Sequence, residues 1–192
     1  MRILEASLLA LAISGAAHAQ SPLKDENVLV PLPGGFKLGY QTRVGPTLMA
    51  EFVPANETVE NWTAMVTQQT FRSPPPQLTI ASMVGSLSKG FGRACGTQET
   101  TKIGEAPVNN YPSEIWRIVC PMNPATSKPE YIYIKLIKGA DALYSVQYAF
   151  RAAPSEERNR IAETYLAGVR ACDTRTPEHP CPSDLVPTTL PQ

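Results

Sequence analysis

The chain has 192 residues, 17 of them basic and 17 acidic, and this length suits a single domain. The even charge balance forms no basic stripe, so nucleic acid is not an expected partner. Only two histidines are present, which argues against a zinc enzyme with His ligands and against catalysis by a positioned imidazole.

The first 19 residues have the pattern of a secretory signal peptide. A short charged start is followed by an apolar run over residues 6–12 and by the small-residue motif Ala17-His18-Ala19. Cleavage after Ala19 would leave Gln20 as the mature N-terminus. The apolar run is much shorter than the roughly 20 residues that a membrane span needs, so we expect a periplasmic or secreted protein without a membrane span.

All four cysteines follow the predicted cleavage site, and an even number in an oxidising compartment favours two disulfides. Three pairings are possible. Pairing Cys95 with Cys120 and Cys172 with Cys181 is favoured because each bond closes a local loop. A metal site is the alternative, but such clusters usually contain close pairs such as C-x2-C, which this sequence lacks.

Residues 20–35 predict an extended lead-in, because they show little periodicity and end in prolines and Gly34-Gly35. A single α+β domain is expected over residues 36–172. Its first element is a β-hairpin, with strands at 36–43 and 47–53.

Two helices are predicted next. Over residues 56–71, apolar or β-branched side chains recur at helical spacing: Val59, Trp62, Val66 and Thr70. The proline block after Ser73 would end this helix. A second helix is predicted over residues 77–88, closed by Gly90 and Gly92.

The remaining domain begins with four predicted strands, at residues 97–103, 114–120, 131–138 and 143–151. The third has the continuous apolar and aromatic composition of a central strand, and the fourth is expected to be its antiparallel partner.

A closing helix is predicted from Ser155 to about Cys172, with Ile161, Tyr165, Val169 and Cys172 as its buried stripe. Residues 173–192 contain five prolines and predict an irregular tail.

Few residues carry a catalytic pattern. Ser86 and Lys89 match S-x-x-K, in which a lysine amine activates a serine one helical turn away, but the companion motifs S-D-N and K-T-G are absent. The glycine-rich stretch 90–96 lacks the spacing of a phosphate-binding loop. His179 is expected to be a solvated tail residue, and Trp62 and Trp116 are expected to be core residues.

The element order, ββααββββα over residues 36–172, resembles the PsbP/Mog1 fold, in which helices flank an antiparallel sheet. The stretch Glu51-Phe52-Val53-Pro54, followed by residues 57–63, is also similar to exported proteins of Gram-negative bacteria. The resemblance implies an accessory or binding module more than an enzyme, and it brings no known site.

The sequence therefore favours an exported, disulfide-containing, non-catalytic binding or accessory module of the cell envelope. We expect an envelope protein or a small ligand as its partner, and no catalytic residue, cofactor or metal site is predicted. Two alternatives stay open at this level. One is an envelope-directed hydrolase using Ser86 and Lys89, and the other is an inhibitor of a secreted enzyme.

Overall fold

An antiparallel sheet of seven strands forms the centre of the protein. The computed structural model describes residues 23–182, so the predicted signal peptide and residues 183–192 of the predicted tail lie outside the described residues. The elements in chain order are β1 (Glu26–Leu29), β2 (Phe36–Val44), β3 (Thr47–Pro54), β4 (Ala64–Arg72), α1 (Ile80–Cys95), β5 (Glu99–Glu105), β6 (Ser113–Asn123), β7 (Lys128–Lys138), β8 (Ala142–Phe150), α2 (Glu156–Ala167) and β9 (Arg170–Asp173).

The large sheet has the strand order β2-β3-β4-β8-β7-β6-β5, with every neighbouring pair antiparallel. Strands β1 and β9 form a separate antiparallel ribbon, with Glu26 opposite Asp173. Every residue of β8 is buried, as are most residues of β7. These central strands are therefore covered on both faces, which explains their continuous apolar sequence.

Helices cover the two faces of the sheet. On one face, which we call the α1 face, Met83 and Val84 of α1 pack with Ile134 and Leu136. On the other, the α2 face, Ala162 and Leu166 of α2 and Ala171 of the ribbon strand β9 are buried. They belong to one cluster with the aromatic side chains of β8, which are Tyr144, Tyr148 and Phe150. The α+β class, with helices flanking an antiparallel sheet, is confirmed.

The predicted helix over residues 56–71 is wrong. Residues 64–72 form β4, an interior strand between β3 and β8. Its side chains alternate between the faces, so Met65 joins the α1 face and Val66 joins the α2 face. Because both faces of β4 are covered, apolar residues occur on both of them, and together with Val59 and Trp62 of the preceding loop they resemble a helical stripe. Period alone cannot separate a doubly covered strand from a helix.

The loop before β4 has its own local structure. The Glu57 carboxylate accepts hydrogen bonds from the Thr63 backbone N–H and from the Thr63 hydroxyl, both at 2.7 Å. Trp62 is buried in the α1-face cluster, and the Arg151 guanidinium lies 4.0 Å from its ring centre. Glu57 therefore stabilises this loop.

Both observed helices differ from their predicted bounds. Helix α1 begins after Thr79, whose side chain accepts from the Ser82 N–H, and it continues through Gly90 and Gly92 to Gly96, where φ is +73°. Helix α2 ends at Ala167, so Val169 and Cys172 belong to the following segment and to β9. The buried stripe of α2 is Ala162 and Leu166, while Ile161 is 39% exposed.

Neither helix within residues 23–182 is long and apolar enough to cross a membrane.

Candidate functional site

A polar cleft of about 750 Å³ lies beside the ribbon, on the α2 face of the sheet. Its floor comes from alternate positions of β4, namely Gln68, Thr70 and Arg72. These residues share the face of Val66 because side chains of a strand alternate with period two. Leu48 pairs with Thr70, and Arg43 pairs with Leu48, so the floor extends across β3 to β2. Strand β1 forms the opposite wall.

Glu26 fixes that wall to the sheet. Its carboxylate accepts hydrogen bonds from the backbone N–H groups of Ala140 (2.5 Å), Asp141 and Ala142 (both 3.2 Å), and from the Tyr144 hydroxyl (2.9 Å). Burial and the neighbouring Glu26 carboxylate raise the pKa of Tyr144, so its hydroxyl stays protonated and remains a donor.

Gly139 makes room for this carboxylate. A Cβ atom at position 139 would lie 2.1 Å from Glu26 Oε1. The turn between β7 and β8 therefore needs glycine here because a carboxylate approaches the backbone closely, and the turn forms a small nest of N–H donors.

Asp141, a second acidic residue of the cleft, is also bonded to a neighbouring side chain. Arg175 Nη2 lies 2.6 Å from Asp141 Oδ2, and the same guanidinium contacts both carboxylate oxygens of the buried Asp173. Hydrogen bonds from Arg175 lower the pKa of Asp173. The Arg175 charge is thus shared between two carboxylates and is not free for a ligand.

Four cationic side chains of the cleft have no such partner. Within residues 23–182, the structure gives no ion pair and no side-chain hydrogen bond to the charged groups of Lys24, Arg43, Arg72 and Lys138. Asp25 is the third acidic residue of the lining. Asp141 is paired with Arg175, whereas the donors around Glu26 are neutral and leave its charge in place. Four cations therefore face two carboxylates without a described ion pair, Asp25 and Glu26, and the cleft keeps a net positive charge.

Gln68 adds a neutral hydrogen-bonding group to the floor. It is 5% exposed, and no hydrogen bond of its amide is found among the described residues. Buried amides are nearly always hydrogen-bonded, so this side chain offers a donor and an acceptor to whatever occupies the cleft.

The four cysteines form the two disulfides Cys95–Cys120 and Cys172–Cys181, the pairs that the local-loop argument favoured. The first connects the end of α1 to β6, and the second connects β9 to the segment that follows it. Neither bond lines the cleft.

His179 is not a solvated tail residue, contrary to the sequence-based expectation. Its ring stacks on Tyr111 with 3.9 Å between ring centres, and its Nδ1 lies 2.7 Å from the Asn109 carbonyl oxygen. The Cys172–Cys181 disulfide and a hydrogen bond from the Asn110 side chain to the Glu178 carbonyl hold residues 174–181 against the loop 109–111. These contacts explain how a proline-rich segment becomes ordered.

The structure does not bring Ser86 and Lys89 into a site. Both are exposed on α1, on the face of the sheet opposite the cleft, and no hydrogen bond joins them among the described residues. Residues 90–95 continue α1, so the glycine-rich stretch is not a phosphate loop. Trp116 is half-buried, and its indole N–H donates to Glu114.

Sequence reasoning missed the cleft residues. Glu26 and its turn donors are at least 114 residues apart in the chain, and neither Glu26 nor Gly139 belongs to a recognisable motif. Isolated arginines such as Arg43 and Arg72 also form no recognisable motif, because only the folded sheet brings them together.

No family model matches the chain, and no curated protein matches it. Among solved structures, it is similar to the Ran-binding protein Mog1p of Saccharomyces cerevisiae, with 11% identity, TM-score 0.44 and coverage of 76% of this chain and 85% of that one. It is also similar to cyanobacterial PsbP from Synechocystis, with 10% identity, TM-score 0.42 and coverage of 82% and 94%.

A third similar structure is LpqN, involved in cell envelope biogenesis of Mycobacterium tuberculosis, with 8% identity, TM-score 0.35 and coverage of 81% and 87%. PsbP and Mog1, whose fold the element order of the sequence resembles, are thus both among the similar solved structures. At these identities the likeness concerns the fold alone.

Proposed function

We propose that this protein is an exported, non-catalytic binding module that holds a small multivalent anion in the cleft beside β1. The observation that carries the proposal is the set of four cations, Lys24, Arg43, Arg72 and Lys138, that line one cleft without a described counter-charge. The lining also contains Asp25, Glu26 and Asp141, but its charge is positive on balance, and a cleft with a net charge attracts ligands of the opposite sign.

The arrangement favours a ligand with at least two negative charges. The cations come from the segment before β1, from β2, from the end of β4 and from β7, so they approach the cleft from several sides. A volume of about 750 Å³ is within the usual range for small-molecule sites. Gln68 and Thr70 at the floor would fix the orientation of the anion by hydrogen bonds.

Export is part of the proposal. Disulfides persist in oxidising compartments and are rare in the cytosol, and two of them are present here. Residues 1–19 have the pattern of a signal peptide, so we place the mature protein in the periplasm or outside the cell. Its physiological ligand would then be an anion of that compartment or an acidic group on an envelope protein.

The test is calorimetric titration of the protein, purified after expression of the full chain, with pyrophosphate and with citrate at low ionic strength. We expect saturable binding that weakens as salt is added, because exposed charges are screened. The double variant Arg43→Gln/Arg72→Gln should lose about a hundredfold in affinity, since each of the two lost charge-assisted contacts contributes about 1.5 kcal/mol and about 1.4 kcal/mol corresponds to tenfold.

The matched control is Lys89→Gln/Arg160→Gln, which also removes two exposed cations, but from the two helices. It should bind both probes as the unmodified protein does. Equal losses in the two double variants would indicate a response to net charge and would contradict a site in the cleft. Phosphorus NMR should recover the pyrophosphate unchanged, and hydrolysis would contradict the non-catalytic part of the proposal.

A further inference from the structure

A second cavity, of about 480 Å³, lies near the other edge of the sheet. Gly104, Ile115 and Lys135 are neighbours across β5, β6 and β7, and all three line this cavity. Because Gly104 has no side chain, this row of three neighbouring residues leaves space at its β5 end. The segment after α2, with Val169 and Arg170, closes the cavity from above.

Lys135 places a buried amine in the wall. It is 6% exposed, and its Nζ donates to the carbonyl oxygens of Leu166 (2.9 Å) and Val169 (3.1 Å). A lysine ammonium has three N–H donors, so one remains beyond these two carbonyls. No carboxylate among the described residues is paired with it.

Burial, with repulsion from Arg170, lowers the pKa of Lys135 to about 8. The amine is therefore still mainly protonated at neutral pH, as a buried cation without an anionic partner. Such a group is costly unless a negative charge compensates it.

Ser113 gives the cavity a second polar group. The residue is 3% exposed, and the structure gives its hydroxyl no hydrogen bond within residues 23–182. Arg170 is exposed at the same cavity and has no described ion pair. The one acidic residue of the lining, Glu105, is paired with Lys102.

The remaining wall is largely apolar, with Val108, Ile115 and Val169 among its residues. A mainly apolar cavity with a few convergent polar groups is the usual form of a small-molecule site. The apolar wall suits a hydrocarbon body, and the uncompensated cation with the free hydroxyl suits a single negative charge.

We propose that this cavity binds a small aliphatic or aromatic monocarboxylate, with its carboxylate against Lys135 Nζ and the Ser113 hydroxyl and its apolar body against Ile115 and Val169. The site is separate from the cleft beside β1, where multivalent anions are expected. Arg170 lies at the mouth and attracts the carboxylate before it enters.

The test is an NMR titration of the ¹⁵N-labelled protein with hexanoate, and with hexanol and hexylamine as neutral and cationic counterparts. Hexanoate should shift the amide signals of Gly104, Ile115 and Val169 saturably and bind about tenfold or more tightly than hexanol, because a charge-assisted hydrogen bond is gained. It should also raise the pKa of the Lys135 amine. Equal binding of hexanol, or shifts confined to other residues, would overturn the proposal.

Lys135→Met keeps the length of the side chain and removes its nitrogen, and we expect about a tenfold loss of hexanoate affinity. Lys128→Met is the matched control, since Lys128 is an exposed residue of the same strand, and it should bind hexanoate normally. An unchanged affinity in a folded Lys135→Met protein would refute the proposal.

Lys135→Met also removes the lysine donor from the carbonyl of Leu166, near the end of α2, and from that of Val169, just beyond it. If that variant does not fold, Ser113→Ala and the lysine pKa decide the question. Ser113→Ala should weaken hexanoate several-fold, because a hydrogen bond contributes about 1 kcal/mol, and it should leave pyrophosphate binding in the cleft unchanged. Failure at this cavity is thereby distinguished from failure at the cleft.

Discussion

At the scale of single residues, Glu26 is the clearest case of a side chain whose role depends on distant backbone. Its carboxylate meets three N–H groups and one phenol that all come from residues 140–144. This contact holds β1 beside the sheet and so forms one wall of the cleft.

We expect Gly139→Ala to lower the free energy of unfolding by about 1–3 kcal/mol. The new Cβ would overlap the Glu26 carboxylate, which is the end of a flexible side chain and can move away. The cost is therefore the loss of the hydrogen bonds to the turn, more than steric overlap itself. Urea unfolding followed by circular dichroism measures the change.

Gly85→Ala is the control for that substitution. Gly85 lies inside α1, with nothing within 4 Å of a new Cβ, so alanine should raise stability by about 0.5–1 kcal/mol. A Gly139→Ala protein that gains stability like Gly85→Ala would contradict the proposed role of Glu26.

At the scale of elements, α1 shows how a covalent bond fixes one end of a helix. Its N-terminus has a capping box of Thr79 and Ser82, and its last residue, Cys95, is bonded to Cys120 of β6. The helix is thus anchored at both ends on the α1 face, although its sequence contains three glycines.

Replacing both cysteines of one disulfide by alanine should lower the free energy of unfolding by about 3 kcal/mol. The loss should be larger for Cys95/Cys120, which are 25 residues apart, than for Cys172/Cys181, which are 9 apart. The longer loop loses more entropy on closure in the unfolded chain. Denaturant unfolding of the two double variants gives the comparison, and the reverse order would contradict this explanation.

Most strand predictions were correct. The hairpin of β2 and β3 and the four strands β5 to β8 were found at nearly the predicted positions. Strand β4 was mistaken for a helix because Val66 and Thr70, together with Val59 and Trp62 of the preceding loop, recur at helical spacing. Strands β1 and β9 were missed because each has only four residues, too few for a period to be recognised.

At the scale of the whole molecule, the ribbon of β1 and β9 joins the two ends of the described chain. The sequence predicted a lead-in and a tail, whereas Glu26–Leu29 pairs with Arg170–Asp173. The segment after β9 is further held by the Cys172–Cys181 bond and by the stacking of His179 on Tyr111. The candidate cleft depends on this closure, because β1 is one of its walls.

Export is tested on the whole protein. Expressed from its full sequence in a Gram-negative host, it should be recovered from the periplasm with Gln20 as its first residue and with all four cysteines oxidised. Intact-mass spectrometry before and after reduction measures both. A product that retains Met1 and has four free thiols would contradict the proposed export.

The sequence by itself determined the α+β class and most strands of the sheet, and it favoured, among three possible pairings, the cysteine pairs that the structure contains. These features depend on local composition, on short-range periodicity and on the closeness of the paired cysteines along the chain.

Only the tertiary structure decided the two cavities and the residues that line them. Glu26, Arg72 and Lys138 meet in one cleft, and Gly104, Lys135 and Val169 meet in the other cavity, only after sheet pairing brings distant segments together. The charge that matters for binding is the part left unpaired after folding, and short-range patterns along the chain do not show which charges those are.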